Sequence, residues 1–126
     1  MLTLSVLKDA DKTARLFKES NIEQNENSLC LLATDGESDL GFSLFDITHD
    51  KMVVRYIVPL KDLSLADGIL RSTLHIAAER FVMTVYYADT IPESFFETLG
   101  FIKNKEEKTL NIDKLFMSCG SCKGEV

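Results

Sequence analysis

No apolar run in this 126-residue sequence approaches the ~20 residues that a membrane-spanning helix needs, so no membrane partner is expected. Basic residues are in short supply: 14 Lys and Arg stand against 20 Asp and Glu, a formal net charge of −6. A surface of that balance is poorly suited to neutralising a phosphate backbone, which argues against nucleic acid as the main partner. Cysteines number three, and an odd count suits reduced thiols better than a secreted disulfide framework. The stretch from Met1 to Leu7 has neither the basic start nor the long apolar segment of a signal peptide, so the expected compartment is the cytoplasm. Internal repeats, low-complexity segments and linkers are missing too. A chain of this length suits one domain and buries roughly two thirds of its unfolded surface, enough for a core without disulfide or metal.

What is present is a succession of short patterned segments. Leu2, Leu4 and Val6 share one face of a first strand. Asp9 offers an N-cap to an amphipathic helix carrying Ala10, Ala14 and Phe17 at i, i+4, i+7 spacing. Three β-rich runs follow, 28–34, 40–48 and 52–58, separated by turns at 35–38 and 49–51 and closed by Pro59. Such short connections predict an antiparallel meander. From about Leu63 to Phe81 the period becomes helical, with Ala66, Leu70, Leu74, Ala77 and Phe81 in one stripe. Val82 to Tyr87 reads as a strand, Pro92 opens a short helix running to Leu99, and Gly100 ends it in the left-handed conformation. Phe101-Ile102 and 109–112 supply the last strands. The order β α β β β α β α β β predicts an α/β (α+β) fold: a mixed, mostly antiparallel sheet with flanking helices.

The domain is expected to span residues 1–116, leaving a polar tail, 117–126, with Cys119 and Cys122 in a Cys-x-x-Cys. One such pair supplies two of the four ligands a structural zinc wants, so a metal is expected only if two chains share it. A reversible disulfide is the other chemistry open to the pair. Cys30, inside an apolar strand, reads as a small core residue, and His49 and His75 read as solvated surface groups.

The element order, together with Phe95-Phe96-Glu97-Thr98-Leu99-Gly100-Phe101, resembles the Gcn5-related N-acetyltransferase (GNAT) superfamily. Its members commonly end their last helix with Phe-Tyr-Glu-x-Leu-Gly-Phe. The likeness runs from Leu2 to about Ile112 and is greatest to small, divergent members with a cysteine-bearing tail. It implies a sheet splayed between its fourth and fifth strands, with acetyl-CoA as co-substrate in the gap and an acetyl group passed to a small-molecule or peptide amine. The pantetheine arm would pair with strand backbone at Ile57 and Val58. The pyrophosphate would sit at the start of the long helix, where exposed N–H groups and the helix dipole favour an anion.

The family phrase at that start, Gln/Arg-x-x-Gly-x-Gly/Ala, falls on Leu65-Ala66-Asp67-Gly68-Ile69-Leu70. Gly68 matches; Leu65 and Leu70 depart from it. Arg71, expected in the first turn, offers a forked guanidinium to phosphate oxygens and an offset to the charge of Asp67. The plainer reading makes Asp67 a first-turn acid and Gly68 a packing residue. The family's usual proton donor, a Tyr in the last helix, is Phe96 here. Tyr86 and Tyr87 are the nearest substitutes, and strand alternation sends them to opposite faces; both also read as plain sheet-packing aromatics. The strand 52–58 carries no carboxylate, which leaves Asp46, Glu93 or water as the base. The alternative function is that of a catalytically degenerate relative that binds CoA, another ligand or a protein partner without acyl transfer. Members are often dimers, so the resemblance allows a homodimer, but no interface can be read from the sequence.

Overall fold

The computed structural model of the protein describes residues 2–113 and residue 115; Cys119, Cys122 and the predicted tail lie outside the described residues. The elements follow one another in the predicted order: β1 (Leu2–Val6), α1 (Ala10–Glu19), β2 (Ser28–Asp35), β3 (Ser38–Ile47), β4 (Met52–Val58), α2 (Leu63–Glu79), β5 (Val85–Tyr87), α3 (Glu93–Leu99), β6 (Ile102–Asn104) and β7 (Thr109–Leu110). They form one sheet of order β1-β2-β3-β4-β5-β7-β6. Every pairing is antiparallel except β4 with β5, the two strands joined by the α2 crossover. Among the described residues, no helix is long and apolar enough to cross a membrane.

Alternation along the meander gives the sheet two apolar faces. On one, Leu31, Ala33, Phe45, Val54 and Ile57 pack beneath Ala66, Leu70, Leu74 and Ala77 of α2 and Phe95 and Phe96 of α3. On the other, Cys30 and Leu44 meet Phe17 of α1 and Ile22. Burial pushes the Cys30 thiol up to about 12, so it stays protonated and behaves as a small hydrophobe. The α2 layer is tied to the sheet by one buried polar link. Ser43 and Thr73 share a hydrogen bond of 2.6 Å, and Thr73 also donates to the Ile69 carbonyl at 2.8 Å.

The three helices end alike. At each end one residue takes the left-handed conformation: Asn21 (φ 60°), Phe81 (φ 60°) and Gly100 (φ 79°). The next residue, Ile22, Val82 or Phe101, is buried, and its N–H donates to the carbonyl five positions back, at Phe17, Ala77 or Phe96. This is the Schellman ending with its apolar contact. It corrects two sequence expectations. Phe81 does not belong to the α2 stripe: it lies beyond Glu79 and is 87 % exposed, while Val82 takes the buried place. Residues 82–84 belong to this exit, so the strand predicted over 82–87 shortens to Val85–Tyr87. The last strand is likewise limited to Thr109–Leu110.

Candidate functional site

The pairing of β4 with β5 stops part-way along β4, where a bulge in β4 coincides with the end of β5. Phe45 pairs with Val54 but Leu44 pairs with Tyr56, so Arg55 is an extra residue, a β-bulge in β4. Parallel pairing with β5 runs only from Met52↔Val85 to Val54↔Tyr87. Just past it, Ala88 N–H donates to the Val54 carbonyl at 2.9 Å, and the Thr90 hydroxyl donates to the Arg55 carbonyl. The Arg55 side chain turns away, donating to the Glu23 carbonyl (2.7 Å) and to Asp46 (3.2 Å). β4 then continues through Tyr56, Ile57 and Val58 with no strand on its β5 side among the described residues. The Ile57 side chain is buried in the core and that of Val58 is half-buried, which leaves backbone as what these residues present at the gap.

The start of α2 falls at Leu63 as the periodicity predicts, which puts the 65–70 phrase inside the helix and not at its mouth. The helix begins at Leu63, with Asp62 as its N-cap: the Asp62 carboxylate accepts from Leu65 N–H at 3.2 Å and its carbonyl from Ala66 N–H at 2.9 Å. Residues 66–71 therefore lie inside the helix, with their amides turned into the ladder. Ala66, Ile69 and Leu70 are fully buried core residues. Arg71 is about two turns in rather than in the first turn. Its Nε donates to both Asp67 oxygens, at 3.0 and 3.1 Å, and its guanidinium carbon lies 5.1 Å from the centre of the Phe101 ring. The charge of Asp67 is thus met by Arg71, one helical turn on. Gly68 is half-buried, and a Cβ added there would meet nothing within 4 Å, so it is not a packing glycine.

The two tyrosines point to opposite faces. Tyr86 shares its register position with Val53 and is half-buried on the α1 face. Tyr87 is buried on the α2–α3 face, with its ring 4.6 Å from that of Phe96, and its hydroxyl donates to Glu93 Oε2 at 2.8 Å. Burial, then the Glu93 carboxylate, hold the Tyr87 phenol up at about 12. Asp46 is already engaged: Ser28 Oγ donates to it at 2.6 Å, and Asn25 and Arg55 each at 3.2 Å. Sequence reading missed the bulge at Arg55, the Asp62 cap and the Tyr87–Glu93 bond. Only the cap carried a signal, an Asp directly before the helical period. Among the described residues, no three His, Cys, Asp or Glu side chains gather as a metal site would require.

No family model and no curated protein matches the sequence. Solved structures do. The ribosomal-protein-S18-alanine N-acetyltransferase from Escherichia coli superposes with a TM-score of 0.58 at 16% identity, over 86% of this chain and 88% of that one. The ribosomal-protein-alanine N-acetyltransferase from Brucella melitensis biovar Abortus 2308 gives 0.61 at 17%, over 82% and 94%. A GNAT family acetyltransferase from Elizabethkingia anophelis, with acetyl-CoA bound, gives 0.59 at 10%, over 82% and 78%. The chain has the GNAT fold. Phe96, where the sequence resemblance leads one to expect a Tyr, is fully buried, edge-on to Phe95 at 5.2 Å.

Proposed function

We propose that the protein is an acyl-CoA-dependent N-acyltransferase, with acetyl-CoA as donor and a small-molecule or peptide amine as acceptor. The observation carrying this reading is the bulge at Arg55. It falls one residue after the last β4–β5 pair, so the backbone of residues 56–58 is left beside a gap. An extended, amide-bearing arm pairs with such an edge as an added strand does. The residues fit this end of a CoA ligand better than its pyrophosphate end, because a carboxylate already caps α2.

The bound thioester would supply an activated acyl carbonyl. The chain's part is to hold an amine against it, and orientation alone accounts for much of the acceleration of such a transfer. The acceptor side would be the hollow of about 220 Å³ at the end of β4 on its β3 side, lined by Leu16, Gly41, Phe42 and Val58 among others. Tyr87 is the candidate proton donor: at neutral pH it keeps its proton, and Glu93 fixes its hydroxyl. Asp46, with three donors already upon it, and Glu93, which accepts from the Tyr87 hydroxyl, are poor candidate bases, which leaves water.

A second reading, binding without transfer, is favoured by the capped start of α2 and by Phe96. Titration calorimetry with acetyl-CoA, followed by thiol-release assays over a panel of amines, separates the two. Binding with turnover that falls at least tenfold in Tyr87→Phe supports the transferase. Binding without turnover supports the second reading, and no binding at millimolar acetyl-CoA removes both.

A further inference from the structure

Among the described residues, β1 and β6 are the outer strands of the sheet, and they differ in how they meet solvent. β6 carries an exposed lysine, Lys103, at its centre. β1, Leu2-Thr3-Leu4-Ser5-Val6, has no charge, no proline and no bulge in its pairing with β2. Unprotected edges of that kind are templates for pairing with another strand.

The direction of the free backbone groups is fixed. Leu7 lies opposite Cys30 in the β1–β2 register, and its N–H donates to the Cys30 carbonyl at 2.8 Å. In an antiparallel ladder the residues alternate, so Thr3 and Ser5 also turn their backbone groups toward β2. The N–H and C=O of Leu2, Leu4 and Val6 therefore point outward. The side chains of Leu4 and Val6 pack against the α2-face core, whereas Thr3 and Ser5 are exposed on the other face.

We propose that β1 is a self-association edge: two copies of the chain pair β1 with β1, antiparallel about Leu4, and their sheets become one. In this register Leu4 meets Leu4, Leu2 meets Val6 and Thr3 meets Ser5. The sequence of apolar and hydroxyl residues reads the same from either end, as a two-fold interface demands. All three outward residues become hydrogen-bonded pairs, giving about six bonds between the chains. Registers one residue away pair outward groups with inward ones, and those two residues away leave one outward residue unused.

Two further observations fit a second copy. An apolar groove of about 350 Å³ runs beside β1, lined by Leu2, Leu4, Leu40 and Leu65 among others. Of the five exposed large hydrophobics among the described residues, Leu2 and Leu40 line this groove, where the second copy's apolar row would extend the same face. Charges also match. Lys8, just past β1, would run beyond the second copy's Leu2 toward its 35–38 turn, where Glu37 is exposed; symmetry repeats the pairing.

Sedimentation velocity on the full chain from 5 to about 200 μM tests the proposal, with a dimer expected at the upper end. Thr3→Lys/Ser5→Lys sets lysine opposite lysine and is expected to weaken association at least tenfold. Thr3→Lys/Ser5→Glu sets lysine opposite glutamate and is expected to restore it. Both positions are exposed, and circular dichroism checks that the variants fold. Amide exchange in the unaltered protein needs no variant: Leu4 and Val6 N–H should be protected at high concentration and exchange freely on dilution. A monomer across the range, a dimer indifferent to both double variants, or fast exchange at Leu4 in the dimer overturns the proposal.

Discussion

Gly41 and Gly68 face opposite surroundings. A Cβ on Gly41 would stand 2.4 Å from the Val58 carbonyl oxygen and 2.7 Å from Pro59 Cδ, whereas one on Gly68 would meet nothing within 4 Å. The first pair of contacts involves backbone and a ring, neither of which can swing aside. Gly41→Ala should therefore lose about 2–3 kcal/mol, as overpacking does, while Gly68→Ala should gain about 0.5–1 kcal/mol as a helix-interior replacement. Urea unfolding of both variants measures this. Since the fold gives Gly68 no reason to be glycine, a loss of acetyl-CoA affinity in the more stable Gly68→Ala variant would point to a ligand passing there. Tyr87 makes the other residue-scale case. Its phenol is held at about 12, above the ordinary 10, by burial and by Glu93. An unfolded chain releases that proton near pH 10 and the folded chain does not, so the stability contribution is complete below pH 10 and is lost as pH rises toward 12. The melting temperature should fall across that window, and the fall should be smaller in Glu93→Gln, which lacks the carboxylate charge.

At the level of elements, the sequence announces what local chemistry dictates and hides what distant contacts decide. Asp9 was legible as a cap because an Asp before a 3.6-residue period has one common use, and its carboxylate does accept from Lys12 N–H at 3.1 Å. Gly100 was legible because glycine takes the left-handed conformation cheaply; Phe81 occupies the same conformation and gave no such signal, so α2 was read two residues too long. The bulge at Arg55 was not legible, since an extra residue in β4 shows only against the register of β3. The start of α2 lies between these cases, and it yields a test. Asp62→Asn keeps a good capping oxygen, so stability should change by less than about 1 kcal/mol. It also removes a negative charge that, at roughly 5 Å from an incoming anion and an effective dielectric of ~20, opposes binding by about 3 kcal/mol before screening. Asp62 is exposed, so most of that is lost to solvent, and a gain in acetyl-CoA affinity of about three- to tenfold is expected by calorimetry. An unchanged affinity would mean that the pyrophosphate does not approach this helix end.

For the whole molecule, periodicity was enough to order the elements, because each short connection leaves its neighbours few places to pack. The edges of the sheet were beyond sequence reading, since nothing in Leu2–Val6 says that β1 has a partner on one side only among the described residues. That edge sets two electrostatic effects against each other. The chain carries a formal charge of −6, so two copies repel. With centres roughly 30 Å apart, the repulsion is about 2 kcal/mol at 0.01 M salt, where the Debye length is 30 Å, and nearly nil at 0.15 M. The facing Lys8 and Glu37 side chains pull the other way, but exposed pairs contribute about 0.5 kcal/mol each. Repulsion is the larger effect, and β1 itself brings no charge to be screened. Association through β1 should therefore tighten several-fold between 0.01 and 0.15 M NaCl, measured as a dissociation constant by sedimentation. An interface held mainly by ion pairs would loosen over the same range, so the sign of the salt dependence separates a β1 junction from a charged one.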